Sequence, residues 1–237
     1  QGRIYLIDAG PNIDHSLNAL GVDINEVEGI FHTHAHDDHF SGLTTLIRTD
    51  HRLKYYSTRL VRESVSKKLA ALMSVEEQDF EQYFEIHDLD LGIWNNIDGL
   101  EVRPIFSPHP VETNIFFFRT LWSKGYLSYA HLADIPARDV LEGMVTEDSD
   151  APGLSDELFE QVWEYYRDPA DVKKIDMGGG LIHGKAVDFE GDESKKIVLS
   201  HTDRPLTESE QEIGVKETFG SIDVLIPGNE DYLLIYA

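Results

Sequence analysis

Short apolar stretches alternate with polar turns along this chain, and their spacing switches between a two-residue and a 3.6-residue period. Ile-Tyr-Leu-Ile at 4–7 predicts a strand that stops at Asp8-Ala9-Gly10-Pro11, a turn signature. Residues 14–20 combine a capping residue with helical spacing. Positions 27–31 predict a second strand that runs straight into a polar segment, and 42–48 predict a helix starting at Gly42. A third strand is predicted at 53–57. The stretch 58–85, rich in Leu, Lys, Glu and Gln at 3.6-type spacing, predicts two helices. β-Branched and aromatic content predicts strands at 100–106, 114–119 and 126–129. Helices follow at 137–145 and 156–166, joined by an acidic segment containing Pro152-Gly153. Apolar strands at 174–177, 196–200 and 222–226 each end in a polar or glycine-rich turn, and 232–236 predicts a last strand. The pattern is that of an α/β domain, whose chemistry collects where strands end.

At 237 residues and 41% apolar content, the chain can bury a core without covalent or metal staples, as one domain over 1–237. It contains no cysteine, which excludes disulfides and thiolate chemistry. The net charge of −24 opposes nucleic-acid phosphates, so a small-molecule substrate is expected and a nucleic-acid partner is not. With no apolar run of ~18 residues and no signal peptide, no membrane partner and a cytoplasmic location are expected. The chain opens almost directly on a strand, so its natural beginning is expected to be missing.

Residues 32–39 read His-Thr-His-Ala-His-Asp-Asp-His. Four imidazoles and two carboxylates in eight positions are hard to explain by packing, and both groups suit Zn, Fe or Mn. In extended backbone His34 and His36 point to one side and can grip one ion. A turn then brings Asp38 and His39 round to a second. His34-x-His36-x-Asp38-His39 resembles the His-x-His-x-Asp-His signature of the metallo-β-lactamase superfamily. His32 and Asp37 fall outside that register, His32 expected in the core or beside the ligands and Asp37 in solvent.

The resemblance implies a metallo-β-lactamase fold, with two packed mixed β-sheets flanked by helices and the usual first strands absent. It implies a dinuclear metal-dependent hydrolase completed by three later ligands. His109, after the strand ending at 106, is the candidate third ligand of the first ion. Asp134 is the candidate bridge, ahead of His131 because a carboxylate neutralises two cations better. His201, at the end of strand 196–200, is the candidate for the second ion with Asp38 and His39. Asp8 corresponds to an early Asp-x-Gly element that orients ligands rather than binding metal. Between the bridge and the last histidine lies Asp176-Met-Gly-Gly-Gly-Leu-Ile-His183-Gly-Lys185. Its glycines could cradle an anion, and by position His183, near Lys185, could protonate a leaving group as the transfer-RNA-processing members do. Asp38 and His183 are thus the candidate catalytic residues.

The segment 58–90 is longer and more helical than a minimal member needs, which predicts a helical insertion that caps the site or mediates a homodimer. Two divalent ions per chain are expected, zinc ahead of iron or manganese, sharing a water whose pKa falls toward ~7. A small phosphodiester such as a cyclic nucleotide is the expected substrate, ahead of a thioester or lactone. The alternative is a non-hydrolytic di-iron protein that binds or reduces oxygen, although such relatives typically carry Glu where this chain has His36. A third reading is a metal-binding scaffold without catalysis.

Overall fold

The computed structural model describes residues 2–148, 150–178, 182–226, 228 and 233–236. The chain divides into two compact units, the first comprising residues 1–95, 111–114 and 218–237, the second residues 96–110 and 115–217.

The first unit is built on a four-stranded sheet in sequential order, β1 (Ile4–Ile7), β2 (Val27–Phe31), β3 (Leu53–Ser57) and β4 (Phe84–Asp88). All its strand pairs are parallel. Parallel neighbours need a crossover, and the chain supplies α1 (Ile13–Leu20), then the short α2 (Asp37–Phe40) and α3 (Leu43–Leu46), then α4 (Arg59–Met73) and α5 (Phe80–Tyr83). In α4, Val61, Val65 and Leu69 recur every fourth residue and are buried, which fixes the face turned to the core. They join Ile30, Phe40, Leu43, Leu53, Tyr55 and Phe84 in one apolar cluster.

The region 58–90, expected as a helical insertion, is thereby corrected. It runs as crossover α4 and then as β4, in parallel register with β3 from Leu53↔Phe84 to Ser57↔Asp88. The two helices expected over 58–85 are α4 and the short α5, and the strand Phe84–Asp88 follows them directly. Phe80 of α5 and Phe84 of β4 stack with ring centroids 4.7 Å apart, so helix passes into strand without a turn residue to mark the change.

The second unit is built on a six-stranded sheet of β5 (Asn95–Ile97), β6 (Leu100–Phe106), β7 (Asn114–Trp122), β8 (Gly125–His131), β9 (Val172–Asp176) and β10 (Lys196–Ser200), in order β10-β9-β8-β7-β6-β5. This sheet is mixed. β7 and β8 form an antiparallel hairpin, whereas β8, β9 and β10 are parallel. Helices α6 (Arg138–Gly143) and α7 (Asp156–Arg167) connect β8 to β9, and α8 (Glu208–Ile213) follows β10. Buried beneath them is an ion pair, Lys173 Nζ to Asp192 Oδ2 at 2.5 Å, both side chains fully enclosed. Lys173 also donates to the carbonyl of Tyr166, and burial lowers its pKa despite the carboxylate partner. A small antiparallel ladder of β11 (Ile222–Val224) and β12 (Leu233–Ile235) belongs to the first unit. Among the described residues, no helix is long and apolar enough to cross a membrane.

Candidate metal centre

In the first unit, the histidine-rich segment leaves the end of β2 and enters α2, so its candidate ligands stand at the carboxyl edge of a parallel sheet. A single buried carboxylate organises it. Asp8 follows β1 with φ 62°, a left-handed conformation, and accepts three hydrogen bonds. Oδ1 accepts from the Thr33 backbone N–H, and Oδ2 accepts from the Thr33 hydroxyl and from His39 Nδ1, each at 2.7 Å. Burial alone would raise the pKa of Asp8, but the neighbouring imidazole of His39, which donates to its carboxylate, holds it well below the carboxylate range.

These bonds fix tautomers. The one hydroxyl proton of Thr33 is given to Asp8, so the 2.9 Å contact of Thr33 Oγ1 with His34 Nδ1 requires the imidazole to donate. His34 Nε2 is then left with its lone pair. By the same logic, His39 donates from Nδ1 to Asp8 and keeps the Nε2 lone pair. His34 Nε2 lies 3.1 Å from His36 Nδ1, and His39 Nε2 lies 3.5 Å from Asp38 Oδ2. Ligand atoms 2.0–2.1 Å from a tetrahedral ion stand about 3.3 Å apart, so both pairs fit a common cation. His34 is buried, while the Asp38 side chain is 55% exposed and open to a reactant.

Backbone contacts hold the run in place. Ala9 N–H donates to the carbonyl of His39, and Gly42 N–H donates to that of Ala9, both at 2.8 Å. A Cβ on Gly42 would meet the Gly10 carbonyl oxygen at 2.4 Å, so only glycine permits this approach. Lys68 of α4 donates to the Ala35 carbonyl and to Asp37, each at 2.6 Å. Asp37 is therefore an exposed carboxylate paired with Lys68 rather than one left to water, and that hydrogen bond lowers its pKa. His32 is fully buried, with its ring centroid 5.7 Å from that of Tyr55 and 6.4 Å from that of Phe40. Burial pushes its pKa down to about 4, so it is a neutral core imidazole.

In the second unit, the candidate residues arrive singly at strand ends. His109 follows β6, with its side chain enclosed and Nε2 3.8 Å from Asp134 Oδ2. Asp134 follows β8, and His201 follows β10 with φ 63°. His201 Nδ1 lies 3.4 Å from Asp134 Oδ1. His131, the competitor for the bridging position, is hydrogen-bonded through Nδ1 to the Tyr129 hydroxyl at 2.9 Å. Lys185 is ion-paired with Asp139 at 2.7 Å.

One residue of this unit was missed in the sequence. Asp176, the buried last residue of β9, has Oδ2 2.8 Å from His183 Nδ1 and Oδ1 2.9 Å from the Gly178 N–H. A carboxylate ending an apolar strand, seven positions before a histidine in a glycine-rich segment, was the available signal. Gly178 lies against the pair, since a Cβ there would meet the His183 ring at 3.0 Å. The rest of the expected anion cradle, residues 179–181, lies outside the described residues.

The family model described as Anti-Pycsar protein Apyc1 matches residues 1–132, more than half of the chain. The chain belongs to the Apyc1 family. Its similarity to cAMP/cGMP-dependent 3′,5′-cAMP/cGMP phosphodiesterase B of Dictyostelium discoideum is 32% identity over 97 residues. That match takes in 41% of this Apyc1-family chain but only 9% of the length of the curated relative. Among solved structures, the metallo-β-lactamase-fold protein YhfI of Bacillus subtilis superposes with a TM-score of 0.58 at 11% identity, covering 89% of this chain and 81% of that one. The short form of human tRNase Z gives a TM-score of 0.53 at 16% identity, covering 85% and 82%. The fold of this Apyc1-family chain is therefore the metallo-β-lactamase fold, and its His/Asp clusters suit divalent cations.

Proposed function

We propose that this chain is a metal-dependent phosphodiesterase that opens the ring of a 3′,5′-cyclic nucleotide. The observation that carries metal dependence is the pair of imidazole nitrogens His34 Nε2 and His36 Nδ1, 3.1 Å apart, on a segment whose tautomers Asp8 and Thr33 fix. The substrate class is supported by the 32% identity to a cyclic-nucleotide phosphodiesterase.

Following the signature, His34 and His36 would belong to the ligands of one cation and Asp38 and His39 to those of a second, with His109, Asp134 and His201 as the further ligands that the resemblance implies. When bound, two divalent cations supply a hydroxide at neutral pH and Lewis acidity for a phosphoryl oxygen. The protein's own contribution is orientation and proton handling. Asp8 and Thr33 keep the lone pairs of His34 and His39 turned outward. The exposed Asp38 carboxylate takes the proton of the attacking water. Water oxygen bonds to phosphorus, one ester P–O bond breaks, and the proton taken up from the water is passed on to the leaving oxygen, giving a ring-opened nucleoside monophosphate. With a net charge of −24, the surface favours a small substrate over a polynucleotide.

The test is incubation with a panel of 3′,5′-cyclic nucleotides and a thioester control, with products separated by chromatography, before and after chelation. The expected result is a nucleoside monophosphate that chelator abolishes and added zinc or manganese restores. Cleavage of the thioester with every cyclic nucleotide left intact would overturn the substrate assignment.

A further inference from the structure

Three buried polar side chains of the first unit, Ser57, Thr58 and Asn114, take no part in the metal chemistry and yet converge on the histidine-rich segment. We propose that Asn114 and Thr58 are positioning residues, which lock the backbone of Thr33 and through it the tautomer and aim of the candidate ligand His34. The inference rests on the chain being a metalloprotein and deepens that reading of the same site.

The β2–β3 ladder reaches one residue past Phe31, where the His32 N–H donates to the Tyr56 carbonyl at 3.0 Å. From there the chain runs on toward α2, and its buried backbone groups need other partners. The Ser57 hydroxyl donates to the His32 carbonyl at 2.8 Å, and the Asn114 N–H donates to the Thr33 carbonyl at 3.0 Å. Every polar group of Thr33 is thereby engaged, its N–H and hydroxyl by Asp8 and its carbonyl by Asn114. His34 takes its tautomer from that same Thr33 hydroxyl, through the 2.9 Å contact at Nδ1.

The Asn114 side chain holds this grip in place. Its Nδ2 lies 3.0 Å from Thr58 Oγ1 and 3.4 Å from Ser57 Oγ, and its Oδ1 lies 3.1 Å from Thr58 Oγ1. Ser57 gives its one proton to the His32 carbonyl, so toward Asn114 it only accepts, which fixes the amide with Nδ2 on that side. All three side chains are buried, and a buried network satisfied in this way rigidifies what it touches.

Thr58 shows that the network is kept against a local preference. It is the N-cap of α4, a position whose hydroxyl ordinarily accepts from an N–H of the first turn. Ser155 does so for α7 and Thr207 for α8, accepting from the N–H groups of Leu158 and Glu210. Thr58 makes no such capping bond and turns to Asn114 instead. A hydroxyl placed only to stabilise the fold would serve α4 by capping it, and its diversion points to a task at Thr33.

The experiment compares metal-free and Co2+-loaded full-length protein. Nitrogen NMR of isotope-labelled histidine reports which His34 nitrogen carries the proton without metal, and a Co2+ titration read by its visible d–d bands reports geometry and affinity. The variants are Asn114→Ala, the near-isosteric Thr58→Val, Thr58→Ser, and Val65→Ala in the buried face of α4 as a control for lost stability. Each is checked for folding by circular dichroism and urea unfolding. Asn114→Ala and Thr58→Val are expected to weaken Co2+ binding ~10–100-fold, the range for outer-shell partners, with altered bands and a His34 signal that no longer reports one tautomer. Thr58→Ser, which keeps the hydroxyl, should restore parental binding, and Val65→Ala should lose stability but not Co2+. Parental affinity and tautomer in folded Asn114→Ala and Thr58→Val would overturn the proposal, as would equal weakening of the ion by Val65→Ala. A parent protein that binds no Co2+ overturns the metal reading and this one together. If the parent binds Co2+ but hydrolyses no cyclic nucleotide, the substrate reading alone fails.

Discussion

In the first unit, four candidate ligands fall within residues 34–39 and share one organiser, the Asp8 carboxylate; in the second, the candidate ligands His109, Asp134 and His201 sit in segments following three separate strands. The contiguous set is positioned by a turn and a buried hydrogen-bond hub, so its geometry is local and depends on a few side chains. The dispersed set is positioned by strand pairing and by the packing beneath the sheet. A substitution at the hub should therefore disturb several ligands at once, whereas a comparable change at one strand end should act mainly on its neighbours.

The comparison can be broken in stages. His36→Ala removes a candidate ligand from the contiguous run and should abolish bound metal and hydrolysis together, with the circular dichroism spectrum intact; activity without metal loss would contradict the assignment. Lys173→Met tests the support of the dispersed set. Leaving Asp192 buried and unpaired should cost ~3–5 kcal/mol in denaturant unfolding. Adding Asp192→Leu should recover most of that, because the partners are coupled. Asp8→Asn should lower metal affinity ~10–100-fold while the protein stays folded, since an amide cannot accept all three bonds that Asp8 receives. An unchanged affinity would deny that Asp8 is the hub. The smallest effect belongs to Thr33→Val, which deletes one hydroxyl linking Asp8 to His34 and should cost about 1 kcal/mol of stability.

The same contrast explains what was legible in the sequence. Strands β1, β2, β3, β6 and β10 carry enough apolar, β-branched or aromatic residues to be read directly, and their expected bounds agree with the structure. The histidine cluster was readable because its spacing is short and its residue types are rarely needed for packing. β4 was hidden because it continues from α5 with no breaker between Tyr83 and Phe84. β5, Asn-Asn-Ile, is too short and polar to carry a period. Helix α8 has no buried residue and hence no apolar face, although the Thr207–Glu210 capping box marks its start. Asp176 was overlooked because a lone carboxylate at a strand end commonly caps a turn. Only the pairing of β9 with β8 and β10 sets it beside Asp134 and His201.

Metal content per chain, measured by elemental mass spectrometry on protein purified without added metal or chelator, tests the central claim most directly. About two divalent ions per chain, lost on chelation together with cyclic-nucleotide hydrolysis, is the predicted result. A chain that holds no metal even after reconstitution, or that hydrolyses its substrate undiminished without metal, would contradict it.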